Sequence, residues 1–230
     1  MKIPATIRSR GYLPHWETDG AIYFVTFRLA DSLPRKLTVQ LSNERRAIER
    51  ASKAGAATPA DAARLQKLRA ILKKAERYLD SGLGECHLRD VRVARIVSDA
   101  LHNFDGKRYR LIAWCVMPNH VHVVFSPSGG HDLEAILHSW KSYSAKVANQ
   151  LLARTGHFWQ REYFDHLVRH EASLSKIVQY VLENPRKASL RNWPWVFCTA
   201  DYSKLLSPPR REGQPAFFGE ERRQDGGGTK

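Results

Sequence analysis

Two histidines one residue apart, His120 and His122, stand inside an apolar run that extends from Leu111 to Phe125 and is broken only by Pro118-Asn119. The flanking residues are of strand-forming types. On a strand, residues i and i+2 point to the same face. The spacing therefore presents two imidazoles side by side, with Val121 and Val123 packed into the core on the other face. Paired neutral imidazoles on a rigid strand are half of a divalent-metal site. The same spacing also fits two surface histidines on a half-exposed strand, although polar rings inside an apolar strand need a reason to be there.

A second segment offers complementary chemistry. Tyr180 and Asn184 lie four residues apart in Lys176–Pro185, on one face of a helix and one turn from each other. Tyr180 follows the polar Gln179, which turns its phenol away from the obvious apolar stripe. The Asn184 carbonyl oxygen is a hard ligand that suits Mg²⁺ or Mn²⁺ beside two histidines. A half-buried tyrosine and a helix-ending asparagine before Pro185 would give the same spacing.

The elements that must hold these residues can be read in order. Ala21–Arg28 is a strand, preceded by the Asp19-Gly20 turn. From about Leu37 to Asp80 the pattern is a helical hairpin, with its turn at Gly55–Pro59 and an apolar stripe of Leu65, Leu68, Leu72, Ala75 and Leu79. Asp90–Phe104 is a helix. Tyr109–Met117 and His120–Phe125 are strands joined tightly through Pro118-Asn119. His131–Ala153 is helical, Phe158–Val168 is a strand or an aromatic loop leading into one, and Ser173 onward is helical up to Pro185. Trp193-Pro194-Trp195 is expected to pack as a plug. With the hairpin set aside, the alternation predicts an α+β fold: a ferredoxin-like antiparallel sheet with helices on one face, plus a basic helical hairpin insertion at about 35–82. The domain is expected to span 11–200. Residues 207–230, rich in Pro, Gly and charge, read as a disordered tail.

The chain has 230 residues and a formal net charge of +14, a field that points to a polyanionic partner such as nucleic acid. Between Arg35 and Asp80 there are 12 basic and 5 acidic residues, so half of the excess charge sits on the insertion. That stretch reads equally as a solvated helix face or as a phosphate-gripping arm. The cysteines Cys86, Cys115 and Cys198 have no zinc or redox spacing, which suits free thiols in a reducing, cytoplasmic setting. No signal peptide or membrane-length apolar run is evident, and no internal repeat.

The order of these motifs resembles a known family. Met117-Pro118-Asn119-His120-Val121-His122, Lys141 in the next helix, Phe158-Trp159-Gln160-Arg161-Glu162-Tyr163-Phe164-Asp165, and Tyr180-Val181-Leu182-Glu183-Asn184-Pro185 resemble the HUH single-tyrosine DNA transposases. Within that IS200-like superfamily the chain is most similar to the REP-associated tyrosine transposases. Phe24-Val25-Thr26-Phe27-Arg28 fits as well. The basic hairpin is not part of the minimal fold.

The resemblance implies Tyr180 as nucleophile and His120, His122 and Asn184 as ligands of a divalent metal, Mg²⁺ or Mn²⁺. Asn184 takes the place where transposon relatives carry a glutamine, keeping the amide and shortening its reach by one methylene. Tyr143 and Tyr163 are rival nucleophiles, but neither has an amide partner one turn away. Lys141, Trp159, Arg161 and Arg186 are expected to contact DNA, with Trp159, Phe158 and Tyr163 as possible stacking platforms. The implied reaction is cleavage of single-stranded DNA near hairpin or palindromic repeats through a 5′-phosphotyrosine. The alternative is a nucleic-acid-binding protein that has lost catalysis. A water-activating metal hydrolase would use the histidines without the tyrosine. Transposon relatives act as dimers that exchange the tyrosine helix, whereas REP-associated relatives can act as monomers. A bacterial cytoplasmic, DNA-associated protein is the expectation, with no membrane role.

Overall fold

The structure is a computed structural model that describes residues 6–8, 15–17, 21–53 and 59–200. The expected tail at 207–230, the start of the domain at 11–14 and most of the turn at 55–59 lie outside the described residues. In chain order the elements are β1 (Thr6–Arg8), β2 (His15–Glu17), β3 (Ile22–Arg28), α1 (Arg35–Lys53), α2 (Pro59–Asp80), a short 3₁₀ turn (His87–Arg89), α3 (Val91–His102), β4 (Tyr109–Val116), β5 (His120–Pro127), α4 (Leu133–Leu151), β6 (Phe164–Val168), α5 (Glu171–Lys187) and β7 (Val196–Cys198). The main sheet is antiparallel, in the order β6-β3-β5-β4-β7. Its first four strands, with α3 and α4 as crossovers, form the expected ferredoxin-like βαββαβ unit. β7 is an addition. It follows the Trp193-Pro194-Trp195 segment, whose first indole donates to the Val116 carbonyl at 2.7 Å.

The helices divide between the two faces of the sheet. On one face, Val25, Phe27, Val121, Val123 and Phe125 meet Val93 and Val97 of α3 and Ile136, Leu137 and Trp140 of α4. On the other, Ile22, Phe24, Ile112, Cys115 and Val124 meet Leu174, Val178 and Val181 of α5. The expectation of helices on one face is therefore corrected. The central strands are apolar on both sides, and the second apolar face requires cover, which α5 supplies. A bulge at Leu111/Ala113 in β4 adds one residue and resets the alternation. Ile112 and Ala113 consequently both belong to the α5 side, whereas Leu111 and Trp114 belong to the other.

α1 and α2 close on each other through their own core of Leu37, Leu41, Ile48, Leu68, Ala75 and Leu79. Leu65, expected on that stripe, is 41% exposed, because it projects away from these contacts. α5 runs on through Pro185 to Lys187 instead of stopping at the proline. In the last turn the missing amide forfeits only one helical hydrogen bond.

Trp140 anchors the first core. It is 2% exposed and its indole donates to the Tyr109 hydroxyl at 2.8 Å, which in turn donates to the Leu101 carbonyl. Trp140→Ala is expected to cost about 3–5 kcal/mol of unfolding free energy by urea denaturation. Truncating Tyr143 on the exposed side of the same helix should change it by less than about 0.5 kcal/mol. Equal effects at the two positions would contradict this layer assignment.

Candidate active site

β5 sends His120 and His122 to the α5 side of the sheet, where both are buried. Their Nε2 atoms lie 3.0 Å apart. Each ring is held from behind. The Asn119 Oδ1 is 2.8 Å from His120 Nδ1, and an amide oxygen can only accept, so His120 carries its proton on Nδ1 and leaves the Nε2 lone pair facing inward. Thr26 Oγ1 lies 2.8 Å from His122 Nδ1, from the strand position directly opposite in the β3–β5 register. Asn119 is itself fixed, donating from Nδ2 to the Leu83 carbonyl at 2.8 Å. Burial holds both imidazoles well below the usual histidine range, and for His120 the neighbouring His122 adds to the effect. The neutral rings are in the form that donates lone pairs.

α5 covers the pair. The Tyr180 ring packs edge-on to His122 with centroids 5.4 Å apart, and Phe24 stacks on His122 at 5.5 Å and meets the Tyr180 ring edge-on at 6.0 Å. Asn184 is 2% exposed, with Nδ2 3.4 Å from His122 Nε2. Its Oδ1 is buried with no hydrogen-bond partner. Such an atom is costly unless something meets it. Burial raises the Tyr180 phenol well above the usual tyrosine range. Glu76 and Asp80 of α2 push in the same direction, and the Asn184 side chain acts against them.

This donor set suits a divalent cation. Two imidazole nitrogens, each about 2.1 Å from one ion and at roughly a right angle, stand about 3 Å apart. The third donor is the orphaned amide oxygen, which suits a hard ion. Among the described residues no cluster of three or more His, Cys, Asp or Glu is placed to hold a metal. The set therefore rests on an amide as its third member. Holding each ring through its Nδ1 is how outer partners orient metal-binding histidines.

The other expected residues fall elsewhere. Tyr143 and Tyr163 belong to the α4 side of the sheet, away from the histidines. Tyr143 is 54% exposed, and Tyr163 packs against the first core. Phe158 and Trp159 are buried, and the Trp159 indole donates to Ser144 Oγ at 2.9 Å. Neither ring offers a face to a base, which corrects the stacking expectation. The aromatic spacing is consumed by packing on Phe27, 4.8 Å from Trp159 between centroids. The Lys141 ammonium donates to the carbonyls of Gln160 and Arg161 at 2.9 and 2.8 Å, fixing the segment that leads into β6. Burial lowers its pKa to about 8, Arg28 adds to that, and Glu162 opposes it. Arg161 and Arg186 are exposed. Sequence reasoning missed Thr26 and treated Asn119 only as a turn residue. The parity of β3, which puts Thr26 on the face of Phe24 and Arg28, was the available signal for Thr26.

Residues 90–184, which carry both histidines, Tyr180 and Asn184, match the family model described as "Transposase IS200 like". Over this segment the chain is similar to the IS200-like transposases. The resemblance read from the motifs is thereby met, and the α1–α2 hairpin lies outside the matched residues. A Haemophilus influenzae protein described as a REP-associated tyrosine transposase is 23% identical over 121 residues, covering 46% of this chain and 69% of that protein. Among solved structures, a REP-associated tyrosine transposase bound to a REP hairpin is 19% identical with a TM-score of 0.41, covering 95% of this chain and 98% of that one. A transposase from Deinococcus radiodurans is 14% identical with a TM-score of 0.37, covering 77% and 96%. No helix among the described residues is long and apolar enough to cross a membrane.

Two outcomes follow from this geometry. Thr26→Val should weaken Mn²⁺ binding measured calorimetrically by about 10–100-fold, with His122→Ala abolishing it. Unchanged affinity in Thr26→Val would deny that residue its orienting role. Lys141 has a folded pKa below its unfolded one, so its charge disfavours the folded state at neutral pH and the penalty is relieved as pH rises from about 8 towards 10. Relative to Lys141→Met, the natural protein should therefore gain stability to urea between pH 7.5 and 9.5. A constant difference would contradict this.

Proposed function

We propose that the protein is a metal-dependent single-stranded DNA endonuclease and strand transferase. It would cleave beside hairpin-forming repeats through a tyrosine–DNA intermediate. The reading rests on one observation above all: the Tyr180 ring lies against His122, with Asn184 one turn along α5 and its carbonyl oxygen unmet. Two elements, β5 and α5, thus converge on one small volume.

The Tyr180 oxygen attacks the scissile phosphorus as its proton is lost. The bond from phosphorus to the 3′ oxygen breaks, leaving a 5′-phosphotyrosine and a 3′-hydroxyl that takes up a proton. A second 3′-hydroxyl reverses the step and rejoins strands without an external energy source. His120, His122 and Asn184 would hold a divalent ion, Mg²⁺ or Mn²⁺, which supplies Lewis-acid stabilisation of the charge developing on the phosphate. Asn119 and Thr26 keep the imidazoles from rotating. Phe24 packs against both the His122 and Tyr180 rings and so helps to fix their relative position. Because α5 packs on its own sheet, a single chain assembles the full set of residues, which favours action as a monomer. The preference for DNA agrees with the formal charge of +14. Exposed Arg161 and Arg186 remain candidate phosphate contacts.

The test is incubation with end-labelled single strands drawn from palindromic repeats flanking the gene, with Mn²⁺, followed by a denaturing gel. A protein–DNA adduct should form and vanish in Tyr180→Phe, with His122→Ala lowering its rate by about 10³-fold or more. Binding without any adduct from the natural protein would favour the non-catalytic alternative. Cleavage that survives Tyr180→Phe would instead indicate hydrolysis by activated water.

A further inference from the structure

The α1–α2 hairpin satisfies its apolar requirements internally, so the outward side of α2 has no packing role. Arg69, Lys73 and Arg77 are all exposed there. They sit at i, i+4 and i+8 and form one stripe on the side away from Leu68, Ala75 and Leu79. Exposed Lys74 flanks it. Lys67, by contrast, is paired with Glu44 of α1. Among the described residues none of the other four makes an ion pair, although Glu76 lies within the field of Lys73. Like charges spaced i, i+4 weaken a helix. Glu76 and Asp80, three residues on from Lys73 and Arg77, offset part of that cost, and an anionic partner would offset the remainder.

The stripe leads to the site described above. Leu72, Ala75, Glu76 and Leu79, on the flank of α2 beside it, line a cavity together with Thr26 and Arg28, and Thr26 is the residue that holds His122. The basic row thus starts at the rim of the cleavage site and runs outward.

We infer that this face of α2 is a docking surface for the sugar–phosphate backbone of duplex DNA adjoining the cleaved strand. The inference rests on the reading above in taking DNA as the partner. Arg69 to Arg77 span about 12 Å of helix, which matches three to four base-pair steps. Surfaces that track single strands interleave aromatic rings with the charges. This face has none: Tyr78 is half-buried and packs against the hairpin core. A straight, rigid row of cations without stacking platforms suits a rigid row of phosphates.

The test uses the full-length protein carrying Tyr180→Phe, so that cleavage does not intervene. Binding of a stem–loop oligonucleotide and of a stemless strand of equal length is followed by fluorescence anisotropy over a range of salt. The triple variant Arg69→Gln, Lys73→Gln, Arg77→Gln should lower the log–log salt slope for the stem–loop by about 2.7, since each phosphate contact contributes about 0.9. The stemless strand should change by less than about 1. Lys73→Gln alone should lower the stem–loop slope by about 0.9, which keeps the test open if the triple variant loses its fold. An unchanged stem–loop slope overturns the inference, and so does an equal loss on both ligands, which would mark a single-strand track. The adduct assay is scored separately. Adducts with no effect of α2 charge remove the docking surface alone, and an effect of α2 charge without adducts removes the phosphotyrosine reading alone.

Discussion

Two imidazoles buried between a sheet and a helix, cut off from bulk solvent, constrain everything around them. Each ring must be satisfied at both nitrogens, and burial keeps both neutral. Asn119 and Thr26 meet the outer nitrogens from the β4–β5 turn and from β3. The inner nitrogens are left facing each other and the Asn184 amide. That inner space holds lone pairs and one unmet carbonyl oxygen, an arrangement that suits a cation and would be costly as a mere piece of core.

The two-sided sheet makes this possible. One face is filled by α3 and α4 and carries neither the paired histidines nor Tyr180, so it can serve as a rigid support. On the other face α5 brings Tyr180 and Asn184 over the histidines, and the α1–α2 hairpin abuts it beside Thr26 and Phe164. The Phe158–Tyr163 segment, rich in aromatics, belongs with the support: its rings lock the approach to β6, and Lys141 fastens its backbone. Division of labour between the faces explains why Tyr143, Tyr163 and Tyr180 have different surroundings.

The hairpin insertion is a second, separate packing unit. It has its own core and +7 of formal charge, and it touches the rest of the fold beside the reactive face. Glu76 and Asp80, near its end, act on Tyr180, and the exposed bases Arg69, Lys73 and Arg77 run along the same helix beside them. A module attached at this point leaves the strand order of the sheet beneath it intact.

Local pattern alone determined a good deal. The period-two alternation around His120 and His122 placed both rings on one side of a strand, and the four-residue spacing of Tyr180 and Asn184 placed both on one face of a helix. The βαββαβ alternation and the helical hairpin were legible because apolar periodicity is a local property. Only the tertiary structure decided the rest. The face of the sheet that α5 covers depends on crossing geometry and on the β4 bulge, neither of which leaves a periodic trace. Thr26 and His122 are 96 residues apart and meet through strand register. Trp159 and Lys141 look in sequence like ligands for bases and phosphates. Whether an aromatic or a lysine faces a partner or the core is set by what packs against it, and the residues that do so lie elsewhere in the chain.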